Sequence, residues 1–210
     1  MFISASELTA SPGKSSHLGP LVAQMRDLLG KASGKDWWAW AVVTGRPYGS
    51  FMLSTRFDDY ADMIAAQMKV AGSTDWAALA ATAAGLLSQP APTILSEVIA
   101  VTGEPTPPKQ FVLVTRAVID RSAMMDAVSW STQVAEHVTK VTGISTTVAT
   151  SAAGKMFELS WLAGVDTPAE VDKLNAINTD AGYLEMIAEA GTKHLFEQGM
   201  SERMLLARMP

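Results

Sequence analysis

Apolar and polar positions along the chain form a pattern that occurs twice. The first half predicts a strand at residues 2–5, an amphipathic helix from Gly19-Pro20 to Gly30, a β-hairpin, two further helices and a closing strand at 94–101. The second half predicts the same series, from a strand at 111–114 to a strand at 201–207, with a long helix from Asp180 to Gly199 between them. The order β-α-β-β-α-β, present twice, predicts an α+β fold of tandem duplicated ferredoxin-like units.

The two hairpins supply a register for the duplication. Val42 precedes the first turn and Phe51 follows it, and Val148 and Phe157 hold the corresponding places 106 residues later (148 − 42 and 157 − 51). Several strands, such as residues 37–43, are apolar on both faces. A sheet with two apolar faces needs cover on both sides, so we expect antiparallel sheets packed face to face.

Prolines mark the junction between the halves. Pro105, Pro107 and Pro108 fall within four residues and cannot continue a helix or a central strand. We therefore predict a first repeat at 1–102, a proline-rich linker at 103–109 and a second repeat at 110–210.

Composition limits the classes of partner. The 210 residues are 48% hydrophobic and 18% charged, the formal net charge is −5, and cysteine is absent. Lys and Arg are scattered, which argues against nucleic acid. Disulfides and thiolate metal sites are excluded. No apolar run reaches the length of a membrane span, and no signal segment opens the chain, so we expect a cytoplasmic protein without a membrane partner.

The element order resembles that of the dimeric α+β barrel superfamily. The residues that carry the resemblance are the acidic-aromatic entry to a helix at 57–61, the later Trp76 and the closing strand at 94–98. The superfamily includes antibiotic-biosynthesis monooxygenases, EthD-like and NIPSNAP-like proteins, haem-degrading monooxygenases and the tandem chlorite dismutases. This chain is similar to a tandem member.

The resemblance implies a site for a small apolar or aromatic molecule. We expect a protein that binds such a molecule, either as a cofactor-independent oxygenase-like enzyme or as a non-catalytic, oligomeric or ligand-sequestering barrel. A tandem chain is expected to be a pseudo-dimeric monomer or a homodimer. The candidate pocket residues are Trp40, Arg56, Arg116, Glu158 and Trp161, and the catalytic candidates are His137 and Tyr48.

Charges within apolar strands form a separate candidate. Arg116 alternates in phase with valines, and a buried charge needs a partner or a function. Pairing of Arg116 with Glu97, Glu158 or Glu7 is one interpretation, and exposure of these charges at edges or rims is the other.

The remaining alternative is a haem protein. Haem-binding relatives in the superfamily use a helix histidine, which would make His194, or else His137, the candidate ligand. The three histidines share no metal-ligand spacing, so no metal site and no cofactor are predicted.

Overall fold

The computed structural model describes residues 1–103 and 108–210. The chain divides into two compact units, which we call unit 1 (Met1–Glu97 with Ala207–Pro210) and unit 2 (Val98–Leu206). The predicted repeat boundaries at 102 and 110 stay a prediction, and most of the predicted linker, 104–107, lies outside the described residues.

Unit 1 holds the first β-α-β-β-α-β series. Its elements are β1 (Phe2–Thr9), α1 (Ser15–Ser33), β2 (Trp37–Thr44), β3 (Ser50–Phe57), α2 (Tyr60–Ala71), α3 (Thr74–Ala84) and the first part of β4 (Thr93–Val101). The strands follow the order β4-β1-β3-β2, and β1 runs antiparallel to both of its neighbours. Helix α1 packs its apolar stripe on this sheet, where Leu8, Leu18, Val22 and Leu53 are almost fully buried.

Unit 2 repeats the series. Its elements are β5 (Phe111–Ile119), α4 (Met124–Thr142), β6 (Thr146–Ala153), β7 (Glu158–Val165), α5 (Pro168–Asn175), α6 (Ala181–Thr192) and most of β8 (Phe196–Arg208). The strand order is β8-β5-β7-β6. The α+β fold with two ferredoxin-like units is thereby confirmed.

Local sequence explains where the helices begin and end. A capping box begins α5: the Thr167 hydroxyl accepts from the Glu170 backbone, and the Glu170 carboxylate accepts from the Thr167 backbone. Asp59, Ser73 and Asp180 cap three more helices through side-chain oxygens. Helices α1 and α4 both end before a left-handed glycine, at Gly34 and Gly143.

The predicted register of 106 residues is wrong. Helix α4 begins 109 residues after α1 (124 − 15), β6 begins 109 after β2 (146 − 37), and β7 begins 108 after β3 (158 − 50). The turn between β6 and β7 is one residue shorter than its counterpart. The value of 106 came from apolar residues around the two turns that match by chance. The elements of the two units instead align at the offset that also aligns the glycines after α1 and α4.

Several element boundaries also differ from the prediction. Helix α1 begins at Ser15 and ends at Ser33, so Pro20 and Gly30 lie inside the helix instead of marking its ends. Helix α6 ends at Thr192, because His194 adopts a left-handed backbone (φ 50°) and Leu195 donates back to the Ala190 carbonyl at 3.0 Å. Strand β8 therefore begins at Phe196, five residues before the predicted start.

Candidate functional site

One face of the unit 2 sheet forms the floor of the candidate site. Leu113 on β5 pairs with Ala163 on β7, which pairs with Thr146 on β6. The next row along the same face places Thr115 opposite Trp161. Because alternate residues of a strand share a face, both rows point to the same side of the sheet.

Helices α4 and α6 supply the opposite wall. Trp130, Val134 and Val138 recur every four residues along α4, which places them on one stripe of the helix. Tyr183, Ile187 and Ala190, at steps of four and three residues, also share one stripe of α6. Both stripes face the floor residues across a cavity.

The cavity has a volume of about 460 Å³, within the usual range for small-molecule sites. Its lining is mostly apolar and aromatic, with polar groups from β6 and β8. The main lining residues are Leu113, Thr115, Trp130, Val134, Val138, Thr146, Trp161, Ala163, Leu174, Ile177, Tyr183, Ile187, His194, Phe196, Glu197 and Arg203.

Three aromatic rings pack against one another at this cavity. The ring centroids of Trp130 and Phe196 are 5.3 Å apart, those of Trp161 and Phe196 5.9 Å, and those of the two tryptophans 6.2 Å, all edge-to-face. The indole nitrogens are satisfied, since Trp130 donates to the Met186 carbonyl at 2.9 Å and Trp161 to the Ser131 carbonyl at 3.2 Å. The cluster is therefore a fixed aromatic wall.

Burial distinguishes a closed end of the cavity from an open side. Thr146, Ala163 and Leu174 are each at most 5% exposed. By contrast, Ile187 on α6 and Arg203 on β8 are exposed. A ligand would enter between α6 and β8 and reach the Thr146 end last.

Tyr183 and Arg203 interact at the open side. Burial raises the pKa of the Tyr183 phenol, and the positive charge of Arg203 offsets part of that rise. Burial lowers the pKa of the Arg203 guanidinium, and Tyr183 counteracts this. A guanidinium partly removed from water beside an aromatic cavity suits an anionic oxygen on a ligand.

His194 and Trp161 are the sequence-predicted site residues that line this cavity. His194 lies two residues beyond α6, on the exposed link to β8. The expected position late on the helix is therefore wrong, because the helix has already ended.

Arg116 and Glu158 form a buried ion pair on the opposite face of the sheet. Arg116 precedes the cavity residue Ala117 and follows Thr115, so its side chain points away from the cavity. Its Nε lies 3.7 Å from the Glu158 carboxylate, and its Nη1 lies 3.4 Å from Glu202. The side chains of Arg116 and Glu158 are 8% and 5% exposed, so the interpretation of solvent-exposed charges is wrong for this pair.

The other carboxylates named with Arg116 lie elsewhere. Glu7 binds Arg46 within unit 1, with 2.7 Å between Oε1 and Nε, and Glu97 is exposed. Glu202, the second carboxylate beside Arg116, lies within the strand predicted at 201–207, but its pairing with Arg116 was not predicted.

His137 has a structural contact. Its Nε2 lies 2.6 Å from Asp180 Oδ1, which also accepts from the Tyr183 backbone and caps α6. The hydrogen bond from His137 is the main reason that the pKa of Asp180 is lowered. His137 therefore connects α4 to the N-terminus of α6, the helix that carries Tyr183.

The candidates from the first repeat lie in unit 1. Trp40 is 3% exposed and donates from Nε1 to the Ser54 hydroxyl at 2.8 Å. The Arg56 guanidinium lies 5.8 Å from the Trp38 ring, and burial lowers its pKa. Tyr48, in the turn between β2 and β3, is 94% exposed. None of these three lines the cavity of unit 2.

Equivalent positions of unit 1 carry bulkier core residues. Val134 corresponds to Met25 (134 − 109), and Tyr183 corresponds to Trp76, since each is the third residue after its helix cap. Met25 and Trp76 both pack in the unit 1 core. The offset between the repeats falls from 109 at Met25 to 107 at Trp76 (183 − 76), so no single register of the sequence aligns both pairs.

Among residues 1–103 and 108–210, no three His, Asp or Glu side chains are grouped so as to hold a metal ion. No helix in that part of the chain combines the length and hydropathy needed to cross a membrane.

Comparison with known proteins supports the fold. No family model matches the sequence, and no curated protein matches it. A protein from Fusobacterium nucleatum, provisionally named a monooxygenase, is 9% identical with a TM-score of 0.72 over 100% of this chain and 92% of its own. An anthrone oxidase-like protein is 10% identical with a TM-score of 0.70, covering 100% and 91%. A provisionally named monooxygenase from Lactobacillus acidophilus is 11% identical with a TM-score of 0.63, covering 99% and 93%. At these identities the similarity establishes the fold, which is the one that the resemblance to the dimeric α+β barrel superfamily predicted.

Proposed function

We propose that unit 2 binds a planar aromatic molecule that carries an acidic oxygen, and oxidises it with dioxygen. The observation that carries the proposal is the cavity of about 460 Å³, with an aromatic wall on one side and the Tyr183–Arg203 pair at its opening. Aromatic edges and faces pack well against flat ring systems, and a guanidinium is a strong donor to an enolate or phenolate oxygen. The structural neighbours named as monooxygenases and as anthrone oxidase-like support this choice of chemistry.

The chain can supply binding, charge stabilisation and proton transfer. Arg203 would stabilise the oxygen of the ionised substrate, while the imidazole of His194 would take the proton released from carbon. The carbanion passes electrons to dioxygen, a carbon–oxygen bond forms, and the oxygen–oxygen bond then breaks. The proton on His194 goes to the peroxide oxygen, and the imidazole then removes the second hydrogen from the same carbon as the oxygen–oxygen bond breaks. The departing hydroxide takes up that second proton, so that a CH₂ group and O₂ become a C=O group and water.

Binding is tested first, with 2-naphthoate as the probe. Val134→Met introduces into the cavity wall the side chain that unit 1 has at the equivalent position. We expect 2-naphthoate to quench tryptophan fluorescence in the parent protein, with affinity at least tenfold weaker in Val134→Met. Met25→Val, the reverse change in unit 1, is the matched control and should bind like the parent. Equal affinity in all three proteins, or no binding at all, would contradict the assignment of the site.

Catalysis is tested by oxygen uptake with anthrone, whose product would be anthraquinone. His194→Asn should lower the rate by about 10²-fold or more, the usual contribution of a general base, without weakening 2-naphthoate binding. His17→Asn, at an exposed histidine of unit 1, should change neither. Binding without oxygen uptake would support the alternative of a non-catalytic, ligand-sequestering protein.

The haem alternative receives less support from the residues present. An axial ligand has to reach the iron at the centre of the ring. His194, the candidate ligand, is exposed on the link between α6 and β8, and the closed end offers aliphatic side chains and the Thr146 hydroxyl. The described residues do not fit haem, and a Soret band after purification with added haem would overturn that conclusion.

The proposal includes an assembly state and a location. We propose a pseudo-dimeric monomer, or a homodimer formed through the exposed apolar side chains Tyr60, Ile64 and Met68 on α2, in the cytoplasm. Light scattering would give the mass in solution. Met68→Glu should leave the mass of a monomer unchanged and should halve the mass of a homodimer formed through α2.

A further inference from the structure

We propose that the ligand of unit 2 carries a second polar atom, at the end opposite its acidic oxygen, and that the Thr146 hydroxyl binds it. This inference rests on the proposed function and narrows the substrate to elongated aromatic molecules with polar groups at both ends. The observation behind it is a buried hydroxyl without a partner on the wall of an apolar cavity.

The Thr146 side chain lies on the cavity face at the closed end. Thr146 is 3% exposed and lines the cavity. Among the described residues its Oγ1 has no hydrogen-bond partner, although its backbone nitrogen and carbonyl both bind Thr102. A buried hydroxyl usually has a partner, because leaving one unsatisfied is costly.

The neighbours of Thr146 leave little for the hydroxyl to bind except a ligand. The lining residues around this end are Leu113, Val138, Ala163 and Leu174, all aliphatic. A bound water would need two to four polar partners, which these side chains do not provide. A ligand that brings its own hydroxyl or carbonyl to this end satisfies Thr146, whereas a purely apolar end does not.

The spacing of the strands sets the length of the ligand. Thr146 is on β6 and Arg203 on β8, and β5 and β7 lie between these strands in the sheet of unit 2. Three inter-strand spacings amount to about 14 Å between the two backbones. Both residues line the same cavity, so a ligand of two or three fused rings with polar groups at opposite ends suits the distance between them.

Three related probes separate the contributions of the two ends. Naphthalene-2-carboxylate (2-naphthoate) has only the acidic end, 2-naphthol has only a hydroxyl, and 6-hydroxy-2-naphthoate has both at opposite ends of the ring system. We expect 6-hydroxy-2-naphthoate to bind up to about tenfold more tightly than 2-naphthoate, the value of one net hydrogen bond. Arg203→Gln should weaken both carboxylates and leave 2-naphthol unchanged.

Isosteric variants identify the partner of the added hydroxyl. In Thr146→Val the two carboxylates should bind within twofold of each other, whereas Thr146→Ser should retain the preference. Thr115→Val makes the same change at another cavity residue, one row along the floor, and should also retain it. Thr146→Val should not lower the melting temperature, because the hydroxyl that it removes binds nothing in the free protein.

The outcomes distinguish this inference from the proposed function. If 2-naphthoate binds but the added hydroxyl brings no gain, or if the gain survives in Thr146→Val, the inference is wrong and the proposed function stands. If no probe binds, both are wrong. A lower melting temperature of Thr146→Val would show that the hydroxyl already has a partner in the protein, which also overturns the inference.

Discussion

The aromatic wall of the cavity allows a quantitative test of the unit 2 structure. Trp161→Leu removes two edge-to-face ring contacts, with Trp130 and Phe196, and one hydrogen bond of 3.2 Å to the Ser131 carbonyl. Each ring pair is worth about 0.5–1.5 kcal/mol beyond its buried area, and the hydrogen bond about 0.5–1.5 kcal/mol. We therefore expect Trp161→Leu to lower the free energy of unfolding by about 1.5–4.5 kcal/mol.

A double-mutant cycle isolates one of these contacts. Trp161→Leu, Phe196→Leu and the double variant should give a coupling energy of about 0.5–1.5 kcal/mol, because the two rings lie 5.9 Å apart. Urea unfolding followed by far-UV circular dichroism measures the free energies, and equal m-values in the four proteins validate the cycle. Trp76→Leu in unit 1 is the control for loss of a tryptophan and should show no coupling with Phe196→Leu. Additivity of the two changes within about 0.3 kcal/mol would refute the ring geometry.

The remaining predictions concern helix caps and turns. The hydrogen bond from His137 holds the pKa of Asp180 below its ordinary value of 3.8, so the stability from this carboxylate is present above that pH and is lost as pH falls through the lowered pKa. Asp180→Asn keeps the helix cap but removes the titrating carboxylate. Urea unfolding at several pH values should therefore show a smaller loss of unfolding free energy over this acidic range. Gly182→Ala would place Cβ 2.7 Å from His137 Cε1, so the imidazole NMR signals should report loss of the contact with Asp180. Gly49→Ala and Gly13→Ala both place an alanine at a positive φ angle (82° and 75°), which costs about 1–2 kcal/mol. In Gly49→Ala the new Cβ would also lie 2.7 Å from the Ser15 side chain on α1, so this variant should be measurably less stable in urea than Gly13→Ala.

The element order could be predicted because it depends on local signals. At the start of α5, for example, the capping box of Thr167 and the proline at the first helical position are sequence signals that act within one turn. The boundary between α6 and β8 failed because it depends on a non-glycine residue, His194, in a left-handed conformation. Nothing in the local sequence requires that conformation, since histidine is only moderately enriched there.

The candidate site was harder to predict than the fold. Trp161 was identified because a tryptophan in a strand is conspicuous, and His194 because histidines are few. Phe196 precedes the predicted start of its strand, so it could not be assigned to a sheet face. Arg203 lies within the predicted strand, but an arginine near the end of a strand does not by itself indicate a cavity. Thr146 carries no sequence signal, because a lone threonine at the start of a strand becomes informative only when its hydroxyl is seen without a partner.

The last residues of the sequence belong to the first unit to be synthesised. In unit 1 the Met209 backbone donates to the Ala39 carbonyl at 2.8 Å, and Arg26 Nη1 donates to the Pro210 carbonyl at 2.6 Å. Unit 1 therefore cannot complete its own contacts on the ribosome until residues 207–210 have emerged, after all of unit 2. The unit that is synthesised first is therefore expected to complete its folding last.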